Sequence, residues 1–498
     1  MNAPLRKVAI SVLVLFTLLI VNVNVIQVVR AQSLRENPRN TRGLTEEYDR
    51  QRGAIVVAGN EIASSTKTDD PLAYLRQYAN GPLYAAATGY YSVLFGKSGL
   101  ERAENGVLAG TDDRLALRRL GDILTGRDPK GGNVELTLDP AAQQAAMDGL
   151  ANVTGAVVAI DPSTGAILAM ASTPTYDPNQ LSSHDPAAMR AYDKSITPAE
   201  GSGQPDPTTD QAIDARYSPG SVFKLIVSAA ALASGNYTPD STVPAPNVYT
   251  PPGTSTGIKN YNGESCNGGA DQSLIDALTI SCNTAFAQLG VTLGENRVRD
   301  MAEAFGIDDK GFDMPLTVTG STIGPISDDA ALAQSSIGQR DVQLTPMQAA
   351  MISAAIANHG SLMTPYLVDS VQASDLTVVD QTDPKEMSRP ISADVAAQLT
   401  TMMTSVVDNG TGKKARIDGV QVAGKTGTAE VGTTGDEASP HTWFTGFAPA
   451  DKPKIAVAVF IKNGGQSGTE GTGTGGDISA PIAKAVMQAY LNGQGAGG

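Results

Sequence analysis

The sequence predicts an α+β fold, an antiparallel sheet packed by helices, preceded by an apolar N-terminal helix and a smaller mixed α/β region. Three observations carry this. Strand-like segments rich in β-branched residues lie at both ends of the region that starts at Gly155. Apolar segments with helix start and stop signals fill the space between those ends. Ahead of everything, Val8–Val29 form 22 residues without a formal charge, long enough at 1.5 Å per residue to cross a bilayer core.

The N-terminal run competes with a cleaved signal peptide, because Arg6 and Lys7 precede it. It is too long for a signal core, and Arg30-Ala31-Gln32 makes a poor small-residue cleavage site, which favours an uncleaved anchor. Arg30, Arg35, Arg39 and Arg42 dilute the charge asymmetry that would fix its orientation. Beyond the anchor, Gly53–Ile62 and Asn133–Pro140 read as strands, with no long periodic segment up to about residue 150. Two apolar strands then flank the Pro- and Gly-containing turn Asp161–Gly165. Helices are expected over GSVFKLIVSAAALASG, capped by Gly235, and over TPMQAAMISAAIANHG, started by Thr345-Pro346 and stopped at Gly360. His441–Pro449 and Lys454–Lys462 return to strand. Gly464–Asp477 reads as a flexible loop and the final GQGAGG as a disordered tail.

At 498 residues and 41% hydrophobic composition, the chain can bury two or three cores. Its net charge of −15 is uneven: after residue 42, 30 basic side chains face 50 acidic ones. So acidic a body excludes a nucleic-acid partner, whose phosphates demand cationic surface. His184, His359 and His441 lie far apart, without HExxH or CxxC, so no metal site is expected.

Three short motifs carry chemistry. In YSPGSVFKLIVSAA, Ser221 and Lys224 are three apart and share one helical face, on a helix apolar nearly all round. Burial disfavours the ammonium form of Lys224 and makes it a proton acceptor for a serine that is otherwise a poor nucleophile. ALTISCNTAFAQ brings Ser281 and Asn283, and VAGKTGTAE brings Lys425, Thr426 and Gly427. Each motif has a decoy: Ser64…Lys67, Lys97-Ser98-Gly99, and a second SCN at Ser265–Asn267. Taken singly, each is far more readily an ordinary surface or helix feature than a site.

Order and context separate the set from the decoys. SxxK, SxN and KTG in this order, on a buried helix, between helices and on a strand, resemble the serine penicillin-recognising enzymes. PGSVFK, ALTISCNTAFAQLG, SSIGQRDVQLTPMQAA, GKTGTAE and WFTGFAP are similar, in order, to the transpeptidase domain of penicillin-binding proteins. RQRGAIV, FGKSGLE and VELTLD are similar to the N-terminal domain of the class B members, within an actinobacterial type. The resemblance implies a five-stranded antiparallel sheet flanked by helices with an all-helical subdomain. It divides the chain into a cytoplasmic tail (1–7), an anchor (8–29), a non-catalytic pedestal or dimerisation-type domain (30–153), a transpeptidase domain (154–492) and a tail (493–498).

It further implies a D,D-transpeptidase, covalently inhibited by β-lactams, that cross-links peptidoglycan stem peptides in growth or division without a cofactor. Ser221 would attack the D-alanyl-D-alanine carbonyl and Lys224 take its proton. Ser281 would relay a proton to the leaving amine, and Asn283 would bond Lys224 and substrate. Lys425, Thr426 and Gly427 would draw in the terminal carboxylate from an edge strand. The backbone N–H groups of Ser221 and Thr428 would form the oxyanion hole. The chemistry would place the domain outside the cytoplasmic membrane, with glycan polymerisation left to a separate membrane glycosyltransferase of the SEDS type. A D,D-carboxypeptidase and a non-catalytic β-lactam sensor or scaffold remain open. A β-lactamase is disfavoured by the missing Glu motif between SxN and KTG, and a bifunctional class A protein by the short N-terminal region. An extracytoplasmic location also permits a disulfide between the only cysteines, Cys266 and Cys282. It would steady the second SCN; two free thiols are the alternative.

Overall fold

The computed structural model of the chain describes residues 2–30, 47–116, 130–307, 311–430, 440–465 and 473–495. Its principal strands are β1 (Ile55–Val57), β2 (Asn60–Lys67), β3 (Tyr74–Tyr78), β4 (Asn133–Leu136), β5 (Gly155–Ile160) and β6 (Ile167–Thr173). They continue with β7 (Val368–Gln372), β8 (Val378–Gln381), β9 (Ala423–Ala429), β10 (His441–Ala448) and β11 (Ile455–Ile461). The helices that position the site are α1 (Asn2–Asn24), α2 (Pro140–Gly149), α3 (Lys224–Ala233), α4 (Leu274–Thr279) and α5 (Asn283–Leu293). After them come α6 (Pro346–Ala357), α7 (Ala393–Asp408) and α8 (Ser479–Gly495).

Helix α1 runs into a π turn over Val25–Val29, and the segment Arg6–Gln27 has a mean hydropathy of 2.5 with none of it buried. That is a candidate membrane span: its side chains find no protein core to enter.

The N-terminal sheet has the order β8-β7-β4-β1-β2-β3. The single strand expected over Gly53–Ile62 is instead a hairpin, because Ala58 and Gly59 adopt φ of 48° and 75° and reverse the chain. The strand expected to reach Pro140 stops at Leu136, and Asp139 caps α2 by accepting the Ala142 N–H. Two of the six strands, β7 and β8, come from far beyond the expected domain boundary at 153/154: β7 pairs onto β4, and β8 onto β7. They cover an edge that would otherwise expose unpaired backbone groups. Inside the N-terminal unit, Glu101 is fully buried between Arg52 (2.5 Å) and Arg76 (2.6 Å), with Tyr78 donating to the same carboxylate. RQRGAIV and FGKSGLE, distant in sequence, thus meet at one ion cluster.

The second sheet is five-stranded and wholly antiparallel, in the order β9-β10-β11-β5-β6. Its central strands are buried along their whole length because helices cover both faces. Ala156, Val158, Ala456, Ala458 and Phe460 face the core containing α6, while Val157, Ala159, Val457 and Val459 face α2 and α8. This period-two division explains why these strands read as continuous apolar runs. The expected turn at Asp161–Gly165 forms, with Gly165 at φ 88°. Strand β9, carrying Lys425-Thr426-Gly427, is an edge strand. Helix α8 runs to Gly495, so the tail drawn at 493–498 starts inside a helix. Residues 496–498, and 466–472 of the expected Gly464–Asp477 loop, lie outside the described residues.

Candidate active site

The turn Gly220–Phe223 is 3-10 and passes directly into α3, so Ser221 and Lys224 lie one turn apart, as the spacing predicts. Gly220 has φ 52°, and a Cβ there would sit 2.5 Å from the Thr428 carbonyl oxygen. Only glycine lets the turn lie against β9 so closely. The turn is held from two further sides: Trp443 Nε1 donates to Ser218 O (3.0 Å), and the Gly220 N–H donates to Gly338 O (3.0 Å). Gly338 belongs to SSIGQR, so a segment recognisable only by resemblance braces the serine. Ser221, Ser281, Asn283, Thr426 and Thr428 line one cleft of ≈ 160 Å³.

Lys224 has no exposed surface. Its Nζ donates to Ser281 O (2.7 Å) and Asn283 Oδ1 (2.7 Å), and lies 3.3 Å from Ser281 Oγ. Burial first, and the Lys425 charge second, hold it well below the usual lysine range. A neutral amine has two hydrogens, and the two short bonds use both. The lone pair is what remains for a proton.

Ser281 bridges the lysines. Lys425 Nζ donates to Ser281 Oγ (2.8 Å) and to Thr426 O (2.8 Å). Ser281 lies between α4 and α5 at φ 61°, left-handed backbone in a non-glycine residue. Such strain costs on the order of 1 kcal/mol and persists where surroundings enforce it. Lys425 is itself fully buried, and burial lowers its pKa to about 7. It sits behind the cleft wall rather than on it. Thr426 Oγ1 is bonded to Thr411 Oγ1 at 2.6 Å, and Thr428 Oγ1 accepts the Gly475 N–H at 3.3 Å.

Both SCN copies reach the cleft, Ser265 and Cys266 along its wall, but of the two only Ser281–Asn283 bonds the lysines. Ser265 donates to Asn247 Oδ1 and Asn267 donates to Asp271 O, both in an exposed loop. The cysteines nevertheless join the copies: Cys266 and Cys282 form a disulfide, Cα–Cα 6.1 Å. The other decoys have structural duties. Ser64 and Lys67 lie on β2, where residues three apart point to opposite faces. Lys97 pairs with Glu47 at 2.7 Å beside the Tyr91 ring.

Sequence reasoning missed several residues. Asn260 is buried, and its Oδ1 accepts the N–H groups of Asn283 (2.8 Å) and Thr284 (3.1 Å), capping α5 from a remote loop. Thr411, Tyr261, Glu264, Ile280, Gln339, Glu430 and Thr474 also line the cleft. Ile280, Gln339 and Glu430 lie inside the family-like segments without being singled out there, and Thr411, Tyr261, Glu264 and Thr474 lie in none of them. Neither Asn of IKNYNGESC carries a signal for a cap some twenty residues away.

The chain is similar to known proteins over most of its length. Residues 155–488 match the family described as penicillin binding protein transpeptidase domain, and residues 52–134 that of penicillin binding protein A dimerisation domain. The peptidoglycan D,D-transpeptidase PbpA of Mycolicibacterium smegmatis is 47% identical over 497 residues, covering 99% of each chain. That of Mycobacterium tuberculosis is 45% identical, covering 99% of this chain and all of its own. Among solved structures, penicillin-binding protein A from M. tuberculosis as a ceftriaxone acyl-enzyme complex superposes with a TM-score of 0.86 at 44% identity. It covers 90% of this chain and 100% of that one. Its penicillin G acyl-enzyme complex gives 0.83 at the same identity, over 89% and 100%.

Proposed function

The chain belongs to the penicillin-binding protein transpeptidases, class B, and from that premise we propose how its own residues perform the reaction. It is a serine-type peptidoglycan D,D-transpeptidase and is acylated by β-lactams. The observation that carries the residue assignment is the buried Lys224 amine, pinned by Ser281 O and Asn283 Oδ1 one turn from Ser221.

Ser221 Oγ attacks the penultimate D-alanine carbonyl while its proton passes to the Lys224 lone pair. The Ser221 and Thr428 backbone N–H groups stabilise the oxyanion, each worth roughly 3 kcal/mol in the transition state. The peptide C–N bond breaks, and the departing D-alanine nitrogen takes the proton held on Lys224, relayed through Ser281 Oγ 3.3 Å away, which leaves Lys224 neutral again. An acceptor amine then bonds the acyl carbon and the ester C–O bond breaks. The proton lost by nitrogen returns through Lys224 to Ser221. Asn283 fixes Lys224 and meets the substrate amide. Thr426 and Thr428 present the cleft wall to the terminal carboxylate, while Gly427 between them packs against the nucleophile turn and Lys425 acts on the carboxylate through its field from behind.

We assign 8–29 to a single-pass anchor in the cytoplasmic membrane, with residues 1–7 inside and the transpeptidase domain (154–492) outside. Residues 30–153 form the non-catalytic domain, its sheet completed by β7 and β8. A separate glycosyltransferase of the SEDS type supplies the glycan, since 30–153 are too few to hold that activity.

Incubating the full chain and its Ser221→Ala variant with a fluorescent penicillin tests the assignment. Label on the parent alone is expected; label on both, or on neither, would sink the covalent role of Ser221. A stem-peptide substrate should yield cross-linked dimer, whereas free D-alanine without dimer would make the enzyme a carboxypeptidase.

A further inference from the structure

The cleft carries charge of one sign on its walls. Lys224 and Lys425 lie buried behind it, and the charged side chains lining it among the described residues are Glu264 and Glu430. The donor peptide brings a carboxylate, which the lysine end attracts and the glutamates repel. A second substrate must arrive at the same place. Its reacting group is a primary amine, which in neutral water is almost entirely ammonium.

Glu264 is built to meet it. The carboxylate is exposed and, among the described residues, makes no ion pair or hydrogen bond. Its backbone, by contrast, is held firmly: the N–H donates to Tyr261 O (3.0 Å) and the carbonyl accepts from Asn260 Nδ2 (3.1 Å). The loop carrying it is tied at both ends to the SxN residues, by Asn260 capping α5 and by the Cys266–Cys282 bond. The backbone of Glu264 therefore keeps a fixed place relative to Ser281 and Asn283, and its free carboxylate sweeps the adjoining rim of the cleft.

We propose that Glu264 is a positioning residue for the acceptor, binding its ammonium group at the mouth of the cleft after the donor has acylated the enzyme. This rests on Ser221 as the acylated residue. The ammonium sheds its proton to water before the nitrogen attacks, so Glu264 acts on acceptor binding and not on the covalent step. Donor specificity belongs to the inner, lysine-backed end, and acceptor specificity to this strapped carboxylate.

The test uses the full chain in detergent with a D-alanyl-D-alanine peptide whose own side-chain amine is acetylated. Partition of the acyl-enzyme between hydrolysis and transfer is measured with two acceptors: a peptide bearing one free primary amine, and hydroxylamine, uncharged at neutral pH. For Glu264→Gln, transfer to the cationic acceptor should fall about fivefold, the effect of one exposed ion pair. Transfer to hydroxylamine should stay within twofold, and Glu264→Asp should recover most of the loss. Equal loss with both acceptors, no loss with either, or a changed donor KM alone overturns the proposal. Absence of penicillin label on Ser221 would instead overturn the reading on which it rests.

Discussion

Replacing Cys266 and Cys282 together by alanine removes the strap while leaving small apolar side chains in two buried places, 4% and 1% exposed. The sequence separation is 16, so the bond closes a loop of about 17 residues. Chain-entropy reasoning gives about 10 cal/mol/K for such a loop, or about 3 kcal/mol at 25 °C, lost from the stability of the oxidised protein. The loop does not come free, because Asn260 still accepts two N–H groups of α5, each worth about 1 kcal/mol. Ser281 and Asn283 should therefore loosen rather than leave, and penicillin acylation should slow about two- to tenfold. Trp443 is the single tryptophan and is fully buried against the nucleophile turn, so its fluorescence follows unfolding of this domain in urea. The midpoint should fall with an unchanged slope. A loss below about 1 kcal/mol, with the parent shown by mass to be oxidised, would refute the loop-closure argument. Parental acylation in the variant would refute the claim that the strap steadies SxN.

Asn260→Ala should cost about 2 kcal/mol in urea unfolding by orphaning two helix N-terminal donors, whereas Asn260→Asp should keep most of that stability. Acylation should fall with the alanine variant because Asn283 loses its anchor. The pH profile of kcat/KM should be bell-shaped. Lys224 must be neutral, above its lowered pKa, and Lys425 charged, below about 7, so the acid limb reports Lys224 and the alkaline limb, near 7, reports Lys425. Lys425→Gln removes a like charge, raises the Lys224 pKa and should move the acid limb upward; an unmoved limb would argue against their coupling. Glu101→Gln leaves two buried guanidiniums, Arg52 and Arg76, without their counter-charge and should cost about 3–5 kcal/mol in thermal or urea unfolding. Activity measured below the new midpoint should change little, because that cluster lies in the other unit.

Sequence by itself determined the parts whose information is local. Ser221 and Lys224 are fixed on one face by a three-residue spacing, and the apolar residues around them predict the burial that lowers the lysine. Thr345-Pro346 and Gly235 mark helix ends through their own backbone preferences, and the apolar runs of β5, β6, β10 and β11 report strands covered on both faces. Resemblance supplied the order of the three motifs and chose the second SCN copy. Tertiary structure decided what depends on residues far apart meeting. Asn260 caps α5 across a loop, Gly338 braces Gly220, and β7 and β8 complete a sheet begun some three hundred residues earlier. The same is true of Lys425. Its place in KTG predicts a part in drawing in the substrate carboxylate, and closure of β9 against the nucleophile turn decides its surroundings, burying it with its Nζ on Ser281 Oγ and Thr426 O. A side chain's neighbours in sequence set its conformation, but only the packing of distant elements sets its solvent and its partners. For two lysines in one site, these decide which one holds a proton.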